Sequence, residues 1–155
     1  MIAVVQRVTE GKVTVDGAVV GECGNGLFIL VGVAAGDTEE DARLLADKII
    51  KMRIFSDENG KMNLALGEVG GELLVVSNFT LLASYRKGNR PDYLNSASPD
   101  EAKRLYDYFV SYAKEKVPHV GEGIFGADMK VSITNDGPVT IPMDSNVLKK
   151  NKSNA

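Results

Sequence analysis

The segment GELLVVSNFTLL, residues 71–82, is the most hydrophobic run of the chain and predicts the centre of its sheet. An almost continuous apolar run of this length is typical of a strand that is covered on both faces. Covering two faces requires further elements. The rest of the chain supplies strands before this segment and helices on both sides of it.

The first third of the chain is rich in β-branched runs that are separated by turn residues. Glu10-Gly11, Asp16-Gly17 and the GNG at 24–26 interrupt these runs, and Asp-Gly is a strong hairpin signal. We therefore expect an antiparallel meander here. A further hairpin is predicted at Asn59-Gly60, and two last strands are predicted in KVSIT and VTIPM, on either side of residues 135–138.

Two helices are predicted from capping residues and helical spacing. Thr38 is a suitable N-cap, and apolar residues recur from Ala42 to Met52. Ser98 precedes Pro99 and the acidic pair 100–101, which is the pattern of a capped helix start. Antiparallel strands with two helices packed on them define an α+β fold.

Size and composition favour one soluble globular domain. The chain has 155 residues, 44% hydrophobic residues, 25% charged residues and a net charge of -3. We expect one domain over residues 1–145 and a disordered polar tail over 146–155. A single cysteine, Cys23, precludes an internal disulfide and favours a reducing, cytoplasmic location. No run approaches the roughly 20 apolar residues of a membrane span.

Several kinds of catalytic site are disfavoured by the residues present. His119 is the only histidine, and the chain has no CxxC, HxxH or HExxH pattern, which disfavours a metal site. No G-x-S-x-G or phosphate-binding GxxxxGK[ST] motif occurs either. A serine triad would have to use His119, and a surface position is the more ordinary reading of that residue.

Polar residues close the central hydrophobic run. Ser77, Asn78 and Thr80 surround Phe79, and strand alternation would place Ser77 and Phe79 on one face. Buried polar side chains cost free energy unless they find partners. They therefore indicate either a strand end bonded to local backbone or a functional site.

The stretch NDGPVT, residues 135–140, has two interpretations. Asn, Asp, Gly and Pro are common turn formers, and a hairpin turn is the simplest reading. A cis Gly137-Pro138 bond would instead turn two carbonyl oxygens toward one side, where they would suit an ammonium group. The spacing leaves both interpretations open.

Taken together, the two stretches resemble motifs of the D-aminoacyl-tRNA deacylase family. SNFTL is similar to that family's SQFTL motif, with Asn78 in place of glutamine, and NDGPVT matches its NxGPxT motif. The resemblance extends from MIAVVQRVT through KMNLAL, RKGNRP and GIFGADM to about Asp144. It implies a barrel-like, mainly antiparallel sheet with two principal helices.

The resemblance also implies a function. Family members are homodimers that hydrolyse the ester between a D-amino acid and the 3′-terminal adenosine of tRNA, with active sites at the subunit interface. They use no cofactor or metal, and neither a membrane nor DNA is an expected partner. A cis Gly137-Pro138 bond of one subunit would bind the substrate ammonium in the other and exclude L-amino acids. Glycyl-tRNA mischarged on tRNA(Ala) is expected as a second substrate.

Site residues follow from the same resemblance. Backbone N–H groups near Phe79 and Thr80 would bind the oxyanion, and the substrate 2′-hydroxyl would help to activate water. Thr80 is expected to bind substrate rather than attack it, because no base is apparent. Further positions that the resemblance assigns are Ser77 and Asn78 in the catalytic motif, Arg7, Phe125, Met129 and Asn135 as pocket or loop support, and Arg86, Lys87 and Arg90 as tRNA phosphate contacts. Ordinary alternatives stay open for three of these groups: core packing for Phe125 and Met129, an exposed strand-face charge for Arg7, and a solvated loop for Arg86, Lys87 and Arg90.

Two other functions stay open on the sequence alone. The shorter Asn78 leaves room for a noncatalytic module that binds the tRNA acceptor end. A dimer that binds a small molecule and no RNA is the second alternative, and its tRNA affinity would not depend on salt.

Overall fold

The computed structural model describes residues 1–153, with side chains through residue 149. Two 3₁₀ turns, Leu66–Val69 and Phe79–Leu82, accompany the strands and helices. Within the described residues the elements are β1 (Ile2–Val15), β2 (Ala18–Cys23), β3 (Gly26–Gly32), α1 (Glu39–Lys51), β4 (Phe55–Ser56), β5 (Met62–Leu64), β6 (Glu72–Ser77), α2 (Pro99–Lys116), β7 (Val120–Glu122), β8 (Lys130–Asp144) and α3 (Ser145–Ser153).

Strand β1 organises the main sheet, whose order is β2-β1-β3-β6-β7 with β8 also on β1. Its first half pairs with β3, its second half pairs with β2, and β8 runs antiparallel along both halves. The predicted meander is therefore wrong in its pairing, because β3 lies beside β1 rather than beside β2. Glu10-Gly11 does not end the strand; the partner of β1 changes there instead.

Strand β6 is the buried centre that residues 71–82 predict. It pairs in parallel with β3 and with β7, whereas the pairs made by β1 are antiparallel. The sheet is thus mixed. β4 and β5 form a separate antiparallel pair, as expected from the hairpin signal at Asn59-Gly60.

The main sheet curves until its outer strands β2 and β7 meet. A Cβ atom at Gly21 would lie 2.1 Å from the Glu122 carbonyl oxygen, and one at Gly121 would lie 2.5 Å from that of Glu22. Only glycine permits this approach of the two backbones. The imidazole Nε2 of His119 adds a contact of 2.8 Å to the Glu22 carbonyl oxygen. The predicted class, an α+β fold with a barrel-like sheet and two principal helices, is confirmed.

Helices α1 and α2 begin at the predicted caps. The Thr38 N–H donates to Asp41 Oδ2 at 2.8 Å, and Ser98 Oγ accepts from the Glu101 N–H at 3.4 Å. The apolar faces of the two helices pack against the sheet and against each other, forming one core with it. Residues fully buried in that core include Leu45, Ile49, Leu105, Phe109 and Ala113.

The expected disordered tail is contradicted where the structure describes it, because α3 continues from β8. Ser145 Oγ donates to the buried Asp41 Oδ1 at 2.6 Å, and Lys149 Nζ lies 2.8 Å from the same oxygen. A buried carboxylate needs such partners, and the polar composition of the tail gave no sign of it. Residues 154–155 of the predicted tail lie outside the described residues.

Candidate active site

The chain turns sharply where β6 ends. Ser77 is the last residue of β6 to pair with β3, and the Asn78 N–H donates to the Val31 carbonyl at 2.8 Å. Phe79–Leu82 then form a 3₁₀ turn. The expected strand alternation from Ser77 to Thr80 is therefore wrong, because the strand has ended before Phe79.

Asn78 caps this turn. Its Oδ1 accepts the Thr80 N–H at 3.2 Å and also a hydrogen bond from Thr80 Oγ1. Both donors of Thr80 are thus occupied by one amide oxygen. The N–H of Phe79, by contrast, makes no hydrogen bond with any residue that the structure describes. The turn therefore presents one unpaired backbone donor at the end of a rigid, buried strand.

This turn borders a cavity of about 740 Å³, within the usual range for small-molecule sites. Ser77, Asn78, Phe79 and Thr80 lie together on its wall. Apolar side chains make up most of the remaining lining. They include Leu30, Val31, Val76, Ala102, Phe125 and Met129.

Few side chains in the cavity lining could act as a general acid or base. Its described lining includes no His, Cys, Lys or Arg, and its one carboxylate, Asp128, is exposed beside Lys130. The Tyr106 hydroxyl donates to the Val75 carbonyl at 3.0 Å, and burial raises the pKa of Tyr106 well above its usual range. A protein general base for proton abstraction is therefore not apparent at this site.

Phe125 and Met129 both lie in the cavity wall, where the sequence analysis places them. The Phe125 ring lies 6.1 Å from that of Tyr106, between their centroids. Tyr93 and Tyr106 are lining residues that the sequence analysis missed. Tyr106 lies on the buried face of α2, and Tyr93 lies in a loop outside both motifs.

Gly137 and Pro138 form an exposed loop that interrupts β8. Their peptide bond is cis, and β1 pairs with β8 on both sides of the loop. The hairpin reading of NDGPVT is therefore wrong, since the two flanking segments pair with β1 and not with each other. Neither Gly137 nor Pro138 lines the cavity of its own chain.

Arg7 and Asn135 contact this loop from its base. Arg7 Nε donates to the Asp136 carbonyl at 3.2 Å, and its Nη1 donates to the Ile54 carbonyl at 2.8 Å. Asn135 Nδ2 donates to the carbonyls of Arg7 and Val139 at 2.9 and 3.0 Å. The Arg7 side chain is only 11% exposed, so it is not an exposed strand-face charge. These bonds hold the loop against β1.

Arg86, Lys87 and Arg90 lie in an exposed loop that also contains Tyr93 of the cavity wall. None of them makes an ion pair within the described part of the chain. The structure therefore brings Ser77–Thr80, Phe125 and Met129 to one cavity. It leaves the Gly137-Pro138 loop and these three basic residues outside that cavity's lining.

Residues 1–153 contain no cluster of three His, Cys, Asp or Glu side chains arranged to hold a metal. Nor does any helix among them have the length and apolar character needed to cross a membrane.

Comparison with known proteins identifies the family. Residues 4–144 match the family model described as D-Tyr-tRNA(Tyr) deacylase. A D-aminoacyl-tRNA deacylase of Bacillus velezensis is 55% identical over 94% of this chain and 99% of the relative. One of Kosmotoga olearia is also 55% identical, over 94% of this chain and 97% of the relative.

Solved structures agree in fold. A c-Myc DNA unwinding element binding protein matches with TM-score 0.88 and 37% identity, over 93% of this chain and 98% of that one. A probable eukaryotic D-amino acid tRNA deacylase matches with TM-score 0.80 and 18% identity, over 92% and 98% of the two chains, which shows the fold alone. The predicted family and hydrolase class are confirmed: the chain belongs to the D-Tyr-tRNA(Tyr) deacylase family.

Proposed function

We propose that the protein hydrolyses the ester bond between a D-amino acid, or glycine, and the 3′-terminal adenosine of tRNA, and that it rejects L-aminoacyl esters. The observation that carries this proposal is the turn at Asn78-Phe79. It borders a cavity whose described lining offers no protein base, and its Phe79 N–H has no hydrogen-bond partner among the described residues. An aminoacyl ester is already labile, so positioning and charge stabilisation can supply most of the required acceleration.

In the proposed reaction, water attacks the ester carbonyl carbon and the carbonyl oxygen becomes an oxyanion. The Phe79 N–H donates to this oxygen, whereas the Thr80 N–H becomes available only if Asn78 releases it. The neighbouring 2′-hydroxyl of the substrate relays the proton from water to the 3′-oxygen. The carbon–oxygen bond then breaks, giving the free amino acid and a tRNA with its 3′-hydroxyl restored.

Thr80 binds rather than attacks in this proposal. Its hydroxyl donates to Asn78, and no histidine, lysine or second carboxylate lines the described cavity to remove its proton. A threonine nucleophile requires such a base.

Stereochemical selection is assigned to Gly137 and Pro138 of a second copy of the chain. Their loop is exposed, held in place by Arg7 and Asn135, and absent from the lining of its own cavity. It is therefore free to enter the cavity of a partner in a homodimer. Its carbonyl oxygens would bind the α-ammonium group, and an L-side chain would then collide with backbone. Glycine has no side chain to exclude, so glycyl-tRNA is a second expected substrate.

Deacylation of D-tyrosyl-, L-tyrosyl- and glycyl-tRNA by the purified protein tests this function. We expect rapid loss of the D-tyrosyl and glycyl esters, and no loss of the L-tyrosyl ester above its spontaneous rate. Binding of charged tRNA without hydrolysis would instead support the noncatalytic module.

Phe79→Pro tests the oxyanion donor, because proline removes the N–H at the first position of a helical turn, where it is tolerated. Phe79→Ala is the matched control, since it removes the ring but keeps the N–H. We expect Phe79→Pro to be about 100-fold slower than Phe79→Ala. Equal rates for the two variants would exclude this donor.

Mixed dimers test the cross-subunit arrangement. Chains that carry Phe79→Pro are mixed with chains from which residues 136–138 are deleted. Random mixing makes about half of the dimers mixed, each with one intact site, so about a quarter of the wild-type activity should return. No recovery in dimers that are shown to be mixed would place the loop and the turn in the same chain's site.

A further inference from the structure

A loop beside the cavity entrance carries exposed rings and unpaired cations together. We call residues 84–95 the entrance loop. Ser84 and Asp92 exchange backbone hydrogen bonds of 2.8 and 2.9 Å at its base. The Ala35 N–H donates to the Asn95 carbonyl at 2.9 Å, which attaches the loop's end to the segment after β3. The base of the entrance loop is therefore fixed, and its tip is presented to solvent.

Large apolar side chains of the entrance loop are exposed to an unusual degree. Tyr85 is 87% exposed and Leu94 is 86% exposed. Tyr93 contacts the half-exposed Phe79 edge to face, with ring centroids 4.9 Å apart, and both rings border the cavity. The Tyr85 ring makes no ring contact with any described residue. It is thus a flat, exposed surface without a ring partner, in the same loop that supplies Tyr93 to the cavity wall.

The charge of the entrance loop is positive although the chain carries a net charge of -3. Arg86, Lys87 and Arg90 make no ion pair among the described residues, and the one carboxylate, Asp92, accepts from the Leu94 N–H at 3.3 Å. Three unpaired cations beside an exposed ring match the chemistry of an unpaired nucleic-acid strand, where bases stack on rings and phosphates meet cations.

The position of the loop indicates which nucleotides it would meet. Tyr93 lies in the cavity wall, and the loop's end leads directly to Ser96 and Ala97, which also line the cavity. If the terminal adenosine enters this cavity, the preceding nucleotides must leave through its opening. Those nucleotides are single-stranded at the 3′ end of tRNA, so their bases are free to stack.

We propose that Tyr85 stacks on an unpaired base preceding the terminal adenosine, with Leu94 extending the apolar surface, while Arg86, Lys87 and Arg90 contact the adjoining phosphates. This inference rests on the proposed function and identifies how the same site would bind the strand that carries its ester. Affinity for the RNA strand would then depend on residues that take no part in the chemical step.

Binding of a fluorescein-labelled single-stranded RNA ending in ACCA tests the proposal without requiring hydrolysis. We expect Tyr85→Ala to weaken binding about tenfold, whereas the matched control Tyr85→Phe stays within about twofold, because it keeps the ring. Replacing Arg86, Lys87 and Arg90 by Gln should reduce the slope of log affinity against log salt by about 0.7 per lost contact.

Hydrolysis of two substrates separates this inference from the function itself. Tyr85→Ala should lose activity on D-tyrosyl-tRNA but not on D-tyrosyl-adenosine, which lacks the preceding nucleotides. Wild-type-like RNA binding by Tyr85→Ala would overturn the inference. A different oligomeric state of Tyr85→Ala in sedimentation would also overturn it, because Tyr85 would then act in a contact between subunits. Should the wild type bind the RNA through Tyr85 but hydrolyse neither ester, the inference would stand and the proposed function would fall.

Discussion

Arg7→Met should destabilise the protein and impair its discrimination between D- and L-esters. Arg7 is nearly buried and joins two segments that are distant in sequence, through the carbonyls of Ile54 and Asp136. Methionine keeps the apolar stem of the side chain and removes the guanidinium. The Gly137-Pro138 loop would then lose one of the two side chains that hold its base, and Asn135 would remain.

The expected cost follows from the bonds that are lost. A hydrogen bond from a charged donor contributes about 1.5–3 kcal/mol, and Arg7 makes two to carbonyl oxygens. Its ion pair with Asp136 adds little, because that carboxylate is 45% exposed. We expect the free energy of unfolding to fall by about 3–6 kcal/mol.

Urea unfolding at a fixed protein concentration measures this change. Arg104→Met is the matched control, because Arg104 is 51% exposed and solvent screens its pairs with Glu39 and Glu101, so their loss should change stability little. The same samples are assayed for hydrolysis of L-tyrosyl-tRNA, which should rise relative to the D-ester only in Arg7→Met. Equal stability of the two variants would refute the anchoring role, and unchanged selectivity would refute its link to substrate choice.

Three further predictions concern stability and reactivity. Asn78→Ala should lower the free energy of unfolding by about 1 kcal/mol in urea titrations, because the cap of the turn is lost. Burial alone would raise the pKa of Asp41, but Lys149, Ser145 and the Thr38 N–H outweigh it and hold the pKa at about 2. A carboxyl group whose pKa is lowered by folding stabilises the fold at pH values above its pKa in the unfolded chain, and this stabilisation is lost as the pH falls toward the folded pKa. Between pH 5 and pH 2 the free energy of unfolding of the wild type should therefore fall by about 2 kcal/mol more than that of Asp41→Asn. Burial and then the charge of Glu72 raise the pKa of Cys23 to about 11, so iodoacetamide at pH 8 should modify this thiol only after unfolding, as mass spectrometry would show.

Local signals in the sequence predicted the elements that local chemistry determines. Thr38 and Ser98 start helices because their caps act within four residues, and Asn59-Gly60 closes a short hairpin. Strand pairing is not local in this sense. The change of partner along β1 depends on the curvature of the whole sheet, which the residues at Glu10-Gly11 do not encode by themselves.

The candidate site shows the same division. Polar side chains at the end of an apolar run mark residues 77–80 as unusual. Strand alternation does not predict where these side chains lie, because a 3₁₀ turn begins at Phe79. Asn78 can turn the chain by accepting the Thr80 N–H, and this capping competes with strand geometry at every Asn. Helix α3 was missed because its attachment to Asp41 is a tertiary contact between residues 104 positions apart.

The pairing of β1 with β8 also has a kinetic consequence. Asn135 and Arg7, which meet at the base of the Gly137-Pro138 loop, are 128 residues apart in sequence. Contacts of such long range close slowly, because the intervening chain loses much of its conformational freedom before they form. We therefore expect the pairing of β1 with β8 and the placement of this loop to be completed together, late in folding.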